Sequence, residues 1–308
     1  MEGILNVLKP PGMTSHDVVD WVRGLTGVKK VGHTGTLDPG AGGVLVVLVG
    51  RVTRAAQFFV TEEKEYLAEA VFGAETDTQD AFGRIVVRGE ASHLTPEDVA
   101  GILPRFRGEI TQVPPLVSAV HHGGKRLYDL ARAGQAVEVP PRTVEIRSLE
   151  MIRGEWGTKA PRVLFRVCCS KGTYVRALIT DIGKALGCPA HLGFLLRTRA
   201  GGFTITSSST LEEFAALKAE GNLERACVNI GDALAHLPAV EVKDSAIKAV
   251  RSGSRVYPAG VAGEIEELNP GVFVRLVAGA DFLAVARVDC PENGRTILKP
   301  VWVHSVQV

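Results

Sequence analysis

One carboxylate, Asp38, stands in the stretch Val31-Gly32-His33-Thr34-Gly35-Thr36-Leu37-Asp38-Pro39-Gly40-Ala41-Gly42-Gly43, which leads straight into Val44-Leu45-Val46-Val47-Leu48-Val49. A short all-apolar run entered from glycines reads as a buried strand preceded by a tight loop. Proline fixes its own φ and pushes the residue before it toward extended geometry, so Asp38 is held between Leu37 and Pro39 with little freedom. The glycines leave room for another molecule's backbone to come close. A rigid carboxylate in an open loop beside a buried strand suits acid, base or nucleophilic chemistry. The same pattern also fits an ordinary turn in which Asp38 caps its own backbone. It is not a P-loop, because no Gly-Lys-Ser/Thr follows, and it is a poor dinucleotide fingerprint, because the glycines precede a strand instead of opening a helix.

The elements that must position this loop can be read from periodicity and punctuation. Residues 3–8 alternate as a strand, and Lys9-Pro10-Pro11-Gly12 turns the chain. Thr14 and Asp17 form a capping box, and a helix with Val18, Val19, Val22 and Leu25 on its buried side runs to Gly27. Residues 51–60 read as a helix. Residues 65–72 read as a strand with Tyr66, Ala68, Ala70 and Phe72 on one face, and 73–84 as a polar loop. Thr95-Pro96-Glu97-Asp98 starts a helix expected to end near Phe106. Residues 144–151, 163–170 and 191–199 read as strands, and 174–186 and 211–219 as helices. Residues 112–143 hold two Pro-Pro pairs, a Gly-Gly turn and a basic cluster, and look like an excursion from the core. Past Pro238 short strands punctuated by glycines suggest a small all-β module.

At 308 residues the chain is comfortable for two domains. No apolar run approaches the ~20 residues of a membrane helix, and Met1-Glu2-Gly3-Ile4 lacks a basic signal-type start, so a cytoplasmic protein is expected. The five cysteines contain no Cys-x-x-Cys pair and the eight histidines show no metal spacing, which argues against a zinc site or a disulfide framework. The overall charge is +1, but residues 121–200 carry +8. A basic third within a neutral chain suits a phosphate-facing surface, and is also what a solvated basic face looks like.

Gly32-His33-Thr34-Gly35-Thr36-Leu37-Asp38-Pro39 resembles the signature of the TruB-type pseudouridine synthases. Asn6-Val7-Leu8-Lys9-Pro10-Pro11-Gly12-Met13-Thr14-Ser15 resembles the family's N-terminal motif, Lys64-Glu65-Tyr66 its tyrosine motif, and Lys171-Gly172-Thr173-Tyr174-Val175-Arg176 its arginine motif. All occur in the family's order over roughly residues 3–230, and the tail is similar in pattern to a PUA domain. The resemblance implies an α/β (α+β) fold: a pseudouridine synthase domain over 1–235 with a mixed, largely antiparallel central sheet flanked by helices, an RNA-gripping thumb at about 112–143, and a PUA-like RNA-binding domain over 238–308. A fragment ending near Leu237 is expected to fold by itself.

The implied activity is isomerisation of a T-loop uridine, position 55, of tRNA to pseudouridine. Nothing is added or lost, so no cofactor and no metal are expected. Asp38 is the implied nucleophile, with Arg176 holding it ionised. Tyr66 stacks on the uracil and handles the C5 proton, and Tyr174 and Leu195 wall the slot. His33 fills the stack vacated by the flipped base. Lys9, Lys171, Lys125, Arg126 and Arg132 are the remaining implied substrate-binding residues; Lys9 also reads as an ordinary surface lysine, and the resemblance implies that its Lys-Pro segment packs close to the active-site loops. His121 departs from the family, which commonly has lysine there. The expected partner is the T-arm stem-loop of tRNA, bound by a monomer with no membrane involved. A non-catalytic RNA-binding protein is the competing class, and the presence of Asp38, Tyr66 and Arg176 together favours the enzyme. A hydrolase would want a second acid or a metal cluster beside Asp38, and no Asp-x-Asp surrounds it.

Overall fold

The computed structural model describes residues 1–308 apart from 61–62, 116–120, 123–124, 127–138, 266, 291–294 and 305–308. In chain order the elements are β1 (Gly3–Lys9), α1 (Ser15–Thr26), β2 (Val31–His33), β3 (Gly42–Val49), α2 (Gln57–Val60), β4 (Lys64–Phe72), β5 (Ala74–Thr76), β6 (Ile85–Arg88), α3 (Pro96–Ile102), β7 (Gly108–Gln112), β8 (His121–His122), β9 (Lys125–Arg126), β10 (Arg142–Glu155), β11 (Arg162–Cys169), α4 (Val175–Ala185), β12 (Ala190–Ala200), β13 (Phe203–Thr204), α5 (Leu211–Ala219), α6 (Ile230–Ala233), β14 (Ala239–Glu241), α7 (Asp244–Arg251), β15 (Phe273–Ala278), β16 (Asp281–Asp289) and β17 (Ile297–Val303).

β3 explains why its sequence is apolar at every position. It lies inside the main sheet, ordered β1-β3-β12-β4-β11-β10-β7 with β2 and β13 attached at β3 and β12. Val44, Val46 and Leu48 pack on one face, against Phe58, Phe59 and Phe203. Leu45, Val47 and Val49 pack on the other, against Val18, Val19 and Val22 of α1. A strand covered on both faces reads as a continuous apolar run. Pairing is antiparallel throughout the main sheet except at β3–β12, where Leu196 and Arg197 run parallel to Gly42 and Gly43. The sheet is thus mixed and largely antiparallel, as expected. Helix α4 lays Leu178, Ile179 and Ile182 on the same core as Ala68, Ala70 and Phe72 of β4.

The capping box read at Thr14–Asp17 is present, and the helix start read at Thr95 also closes a capping box with Asp98. Three local readings change. Residues 51–60 are not one helix but a 3-10 turn, Gly50–Ala55, followed by the single turn of α2. Gly50 takes φ 76° there, and the Thr53 hydroxyl donates back to its carbonyl, which favours a tight turn over α-helix. The loop at 73–84 contains β5, which pairs with β6 as a hairpin. The tail pairs β14-β15-β16-β17 as a second sheet, and also carries α7, whose Val250 is buried in that module's core. Of the excursion at 112–143, the pairing of β8 with β9 places His121 opposite Arg126 along the backbone; Arg132 lies outside the described residues. Among the described residues, no helix is long and apolar enough to cross a membrane.

Candidate active site

Asp38 sits in the loop between β2 and β3, and the chain around it is tied down at several points. Ser15, buried at the start of α1, accepts a hydrogen bond from the Leu37 amide at 2.8 Å and donates to the Leu37 carbonyl at 3.1 Å. The Gly12 amide donates to Pro39 O at 2.8 Å and the Ala41 amide to Asp38 O at 3.0 Å. The Lys9 ammonium reaches the carbonyls of Pro10, Met13 and Pro39.

Arg176 meets the carboxylate from the first turn of α4. Its Nη2 donates to Asp38 Oδ1 at 3.1 Å, and its Nε lies 2.9 Å from Oδ2. Its Nη1 donates to Thr78 O at 3.0 Å and lies 3.9 Å from Asp80 Oδ2. The guanidinium side chain is 4% exposed, whereas that of Asp38 is 39% exposed, so one partner is buried support and the other faces solvent. A cation in the first turn opposes the helix macrodipole, so this arginine is placed for the carboxylate and not for the helix.

The sequence led to the expectation that Arg176 would keep Asp38 at a low pKa. The guanidinium does pull it down, but burial outweighs it and the nearby Asp80 carboxylate adds to the rise, so Asp38 lies above the ordinary carboxylate range. Asp80 is therefore the second acid that no local sequence pattern revealed. It arrives from the β5–β6 turn, where Gln79 takes φ 63°, the one non-glycine positive φ among the described residues.

The carboxylate opens into a cavity of about 300 Å³ lined by the 34–38 loop, Lys64, Tyr66, residues 170–176, Leu195 and Arg197. Tyr66, Tyr174, Leu195, Lys171, Asp38 and Arg176 are thus brought together from four separate stretches of chain. Tyr174 is held by its backbone: its amide donates to Gln112 Oε1 at 3.1 Å and its carbonyl accepts from Gln112 Nε2 at 3.3 Å. The Arg142 guanidinium lies 5.9 Å from the Tyr174 ring centroid. Burial raises the Tyr66 phenol, with the Arg197 charge acting the other way.

One expected substrate contact is placed elsewhere. Lys9 is 1% exposed and spends its ammonium on backbone carbonyls, so it is a strut beneath the loop and neither a surface lysine nor an RNA contact. Burial brings its pKa down to about 8. His33 ends β2 outside the cavity lining, and burial lowers its pKa, which favours the neutral ring. Asp80 and Arg197 were not singled out by the sequence, since each acts through space and stands in no motif with Asp38. Among the described residues, no group of three His, Cys, Asp or Glu side chains is arranged to hold a metal ion.

A mixed sheet with flanking helices and a strand-rich C-terminal module is the fold of the TruB-type pseudouridine synthases. The chain superposes over 99% of its length on 85% of a chain in a structure of an H/ACA RNP bound to a substrate RNA containing 2'-deoxyuridine, with TM-score 0.75 and 27% identity. It superposes over 99% on 84% of a chain in a Cbf5-Nop10-Gar1 complex, with TM-score 0.74 and 30% identity. Residues 23–175 match the N-terminal domain of the TruB family pseudouridylate synthases, 176–236 the tRNA pseudouridylate synthase B C-terminal domain, and 238–293 the PUA domain. A tRNA pseudouridine synthase B of Pelotomaculum thermopropionicum is 51% identical over 100% of this chain and 98% of its own. One from Symbiobacterium thermophilum is 57% identical over 71% and 73%. The chain belongs to the TruB family of pseudouridylate synthases.

Proposed function

We propose that this chain converts a uridine of tRNA to pseudouridine, and that the uridine is position 55 in the T-arm loop. The observation that carries the reading is the two-point grip of Arg176 on Asp38 at the floor of a cavity walled by Tyr66, Tyr174 and Leu195. The target base leaves its stack and enters this slot, at a cost of a few kcal/mol. Asp38 acts on the ribose, by attack at C1′ or through a glycal. The C1′–N1 bond breaks with its electron pair going to the uracil, the uracil turns, C5 bonds to C1′ as the bond to Asp38 or the glycal double bond is given up, and N1 takes a proton to match the one lost from C5. The C5 proton passes to a base in the site, for which Tyr66 is placed, and returns to solvent. Arg176 keeps the carboxylate aimed and favours its ionised form against the burial that opposes it. Tyr174 and Leu195 keep the ring flat while it turns.

The +8 carried by residues 121–200, which include Lys125, Arg126, Arg132 and Lys171, supports binding of the phosphate backbone there. The C-terminal domain holds the tRNA body. The enzyme works as a single chain without a metal ion, and turnover is expected to be unchanged in excess EDTA.

The deciding experiment maps pseudouridine in tRNA from cells lacking the protein. Loss at the T-loop uridine, restored by the purified protein in vitro, is the expected result. A tRNA pool with that site still modified would refute the reading.

A further inference from the structure

Arg197 lies in the middle of β12, 2% exposed. Its Nε donates to Val44 O at 2.7 Å, its Nη2 to Gly35 O at 3.0 Å and its Nη1 to Thr36 O at 3.5 Å. All three acceptors are backbone carbonyls; none is a carboxylate. Burying a guanidinium is costly even when paired, and a leucine or methionine would fill the same volume without that cost. The charge therefore has a local use.

Its place in the sheet says what that use is. Arg197 stands directly opposite Tyr66 of β4 on one side and Gly43 of β3 on the other. It lies at the one parallel pairing of the main sheet, between β12 and β3, where the loop carrying Asp38 runs into β3. Gly43 takes φ 107°, and a Cβ there would come within 2.2 Å of the Arg197 carbonyl oxygen, so the two strands meet as closely as backbones allow. The guanidinium fork holds the loop two and three residues before Asp38, and Arg197 and Tyr66, paired across β12 and β4, line the same cavity.

We propose that Arg197 is the positioning residue that fixes the Asp38 loop and Tyr66 at one separation, so that the slot for the base is formed before RNA arrives. A planar fork with donors on three nitrogens grips two separate segments, β3 at Val44 and the loop at Gly35 and Thr36, in fixed directions, whereas an ammonium on a flexible stem is a point charge without that fixed geometry. Released from it, the loop keeps its sequence and its carboxylate but loses its register against the tyrosine.

The proposal rests on the pseudouridine-forming activity proposed above, and the test separates the two. Arg197→Lys and Arg197→Gln are made in the full chain, with the parent and Asp38→Asn alongside. Fold is followed by circular dichroism and melting, tRNA affinity by filter binding, and chemistry by single-turnover pseudouridine formation at saturating tRNA. Because a misplacement of about 1 Å costs roughly 100-fold, Arg197→Gln is expected to lose about that factor in rate while its tRNA Kd stays within about threefold. Arg197→Lys is expected to recover part of that rate. A folded Arg197→Gln within about threefold of the parent rate overturns the proposal. So does a rate loss matched by the loss in affinity, or failure of both variants to fold, since Arg197 would then be only a core strut. No product from the parent protein would instead refute the functional reading.

Discussion

Asp38 meets opposing demands. The proposed chemistry wants an ionised carboxylate, while partial burial disfavours the charge, and Arg176 offsets only part of that. Asp38→Asn keeps the shape and removes the reactive oxygen; pseudouridine formation is expected to fall about 10³-fold or more with tRNA affinity unchanged, as read by single-turnover kinetics beside a binding titration. Asp80 gives a finer test. Its charge raises the Asp38 pKa, so activity, which needs the ionised form, is lost as pH falls through a value above 3.8. Asp80→Asn removes that charge, and the acid limb of the rate profile is expected to move to lower pH; an unmoved or raised limb would count against the arrangement. The linked effect on stability has the opposite sense. The folded state holds this proton more tightly than the unfolded chain, so the group's contribution to stability declines as pH rises through the window between 3.8 and the raised value. Asp38, Tyr66, Tyr174 and Arg176 were legible because each stands in a motif of fixed local spacing. Asp80 and Arg197 were not, because their relation to Asp38 exists only across the fold. Lys9 was misread because a lysine is rarely buried, and only the structure shows the three carbonyls that compensate it.

At the scale of elements, helix α1 positions the loop through a single hydroxyl. Thr14 caps the helix and Asp17 closes the box, so the first turn is rigid, and Ser15 leaves that turn to hold both backbone groups of Leu37. Ser15→Ala would leave a buried N–H and C=O unpaired one residue from Asp38. A cost of about 1–3 kcal/mol is expected, seen as a lower denaturation midpoint with unchanged m-value. The catalytic rate should fall more than tRNA affinity does; a variant as active and as stable as the parent would show that the loop holds itself. The cap was readable from Thr14 and Asp17 alone, and the helix from its apolar spacing. β3 was readable from its length and composition. The turn at Gly50–Ala55 was not, because an apolar stretch broken by β-branched residues fits a helix until the φ of Gly50 is known. Nor was the parallel pairing of β12 with β3, which is a matter of topology and leaves no mark on either strand's pattern.

Across the whole molecule, the boundary near Leu237 is clear in sequence but not in packing. The C-terminal module has its own core, around Val274, Leu276, Ala286 and Leu298. Yet Val285 and Trp302 belong to the same buried cluster as Val44, Val46, Phe58, Phe59 and Leu234 from the catalytic part. The Phe58 and Phe273 rings meet edge to face at 5.1 Å, and Arg275 donates to the carbonyls of Leu237 and Gly231. This shared cluster argues against the expectation that a fragment ending near Leu237 folds by itself, since removing the module uncovers one face of β3's own core. Calorimetry of the full chain is expected to show one cooperative transition. Phe58→Ala, which deletes a buried aromatic on the shared face, should cost about 3–5 kcal/mol and lower that whole transition rather than a part of it. The fragment 1–237 should melt well below the full chain and bind a hydrophobic dye at temperatures where the full chain does not. Two resolved transitions, with only one moved by Phe58→Ala, or a fragment as stable as the full chain, would mean that the two parts touch without sharing a core. The module's contribution would then be limited to its grip on RNA.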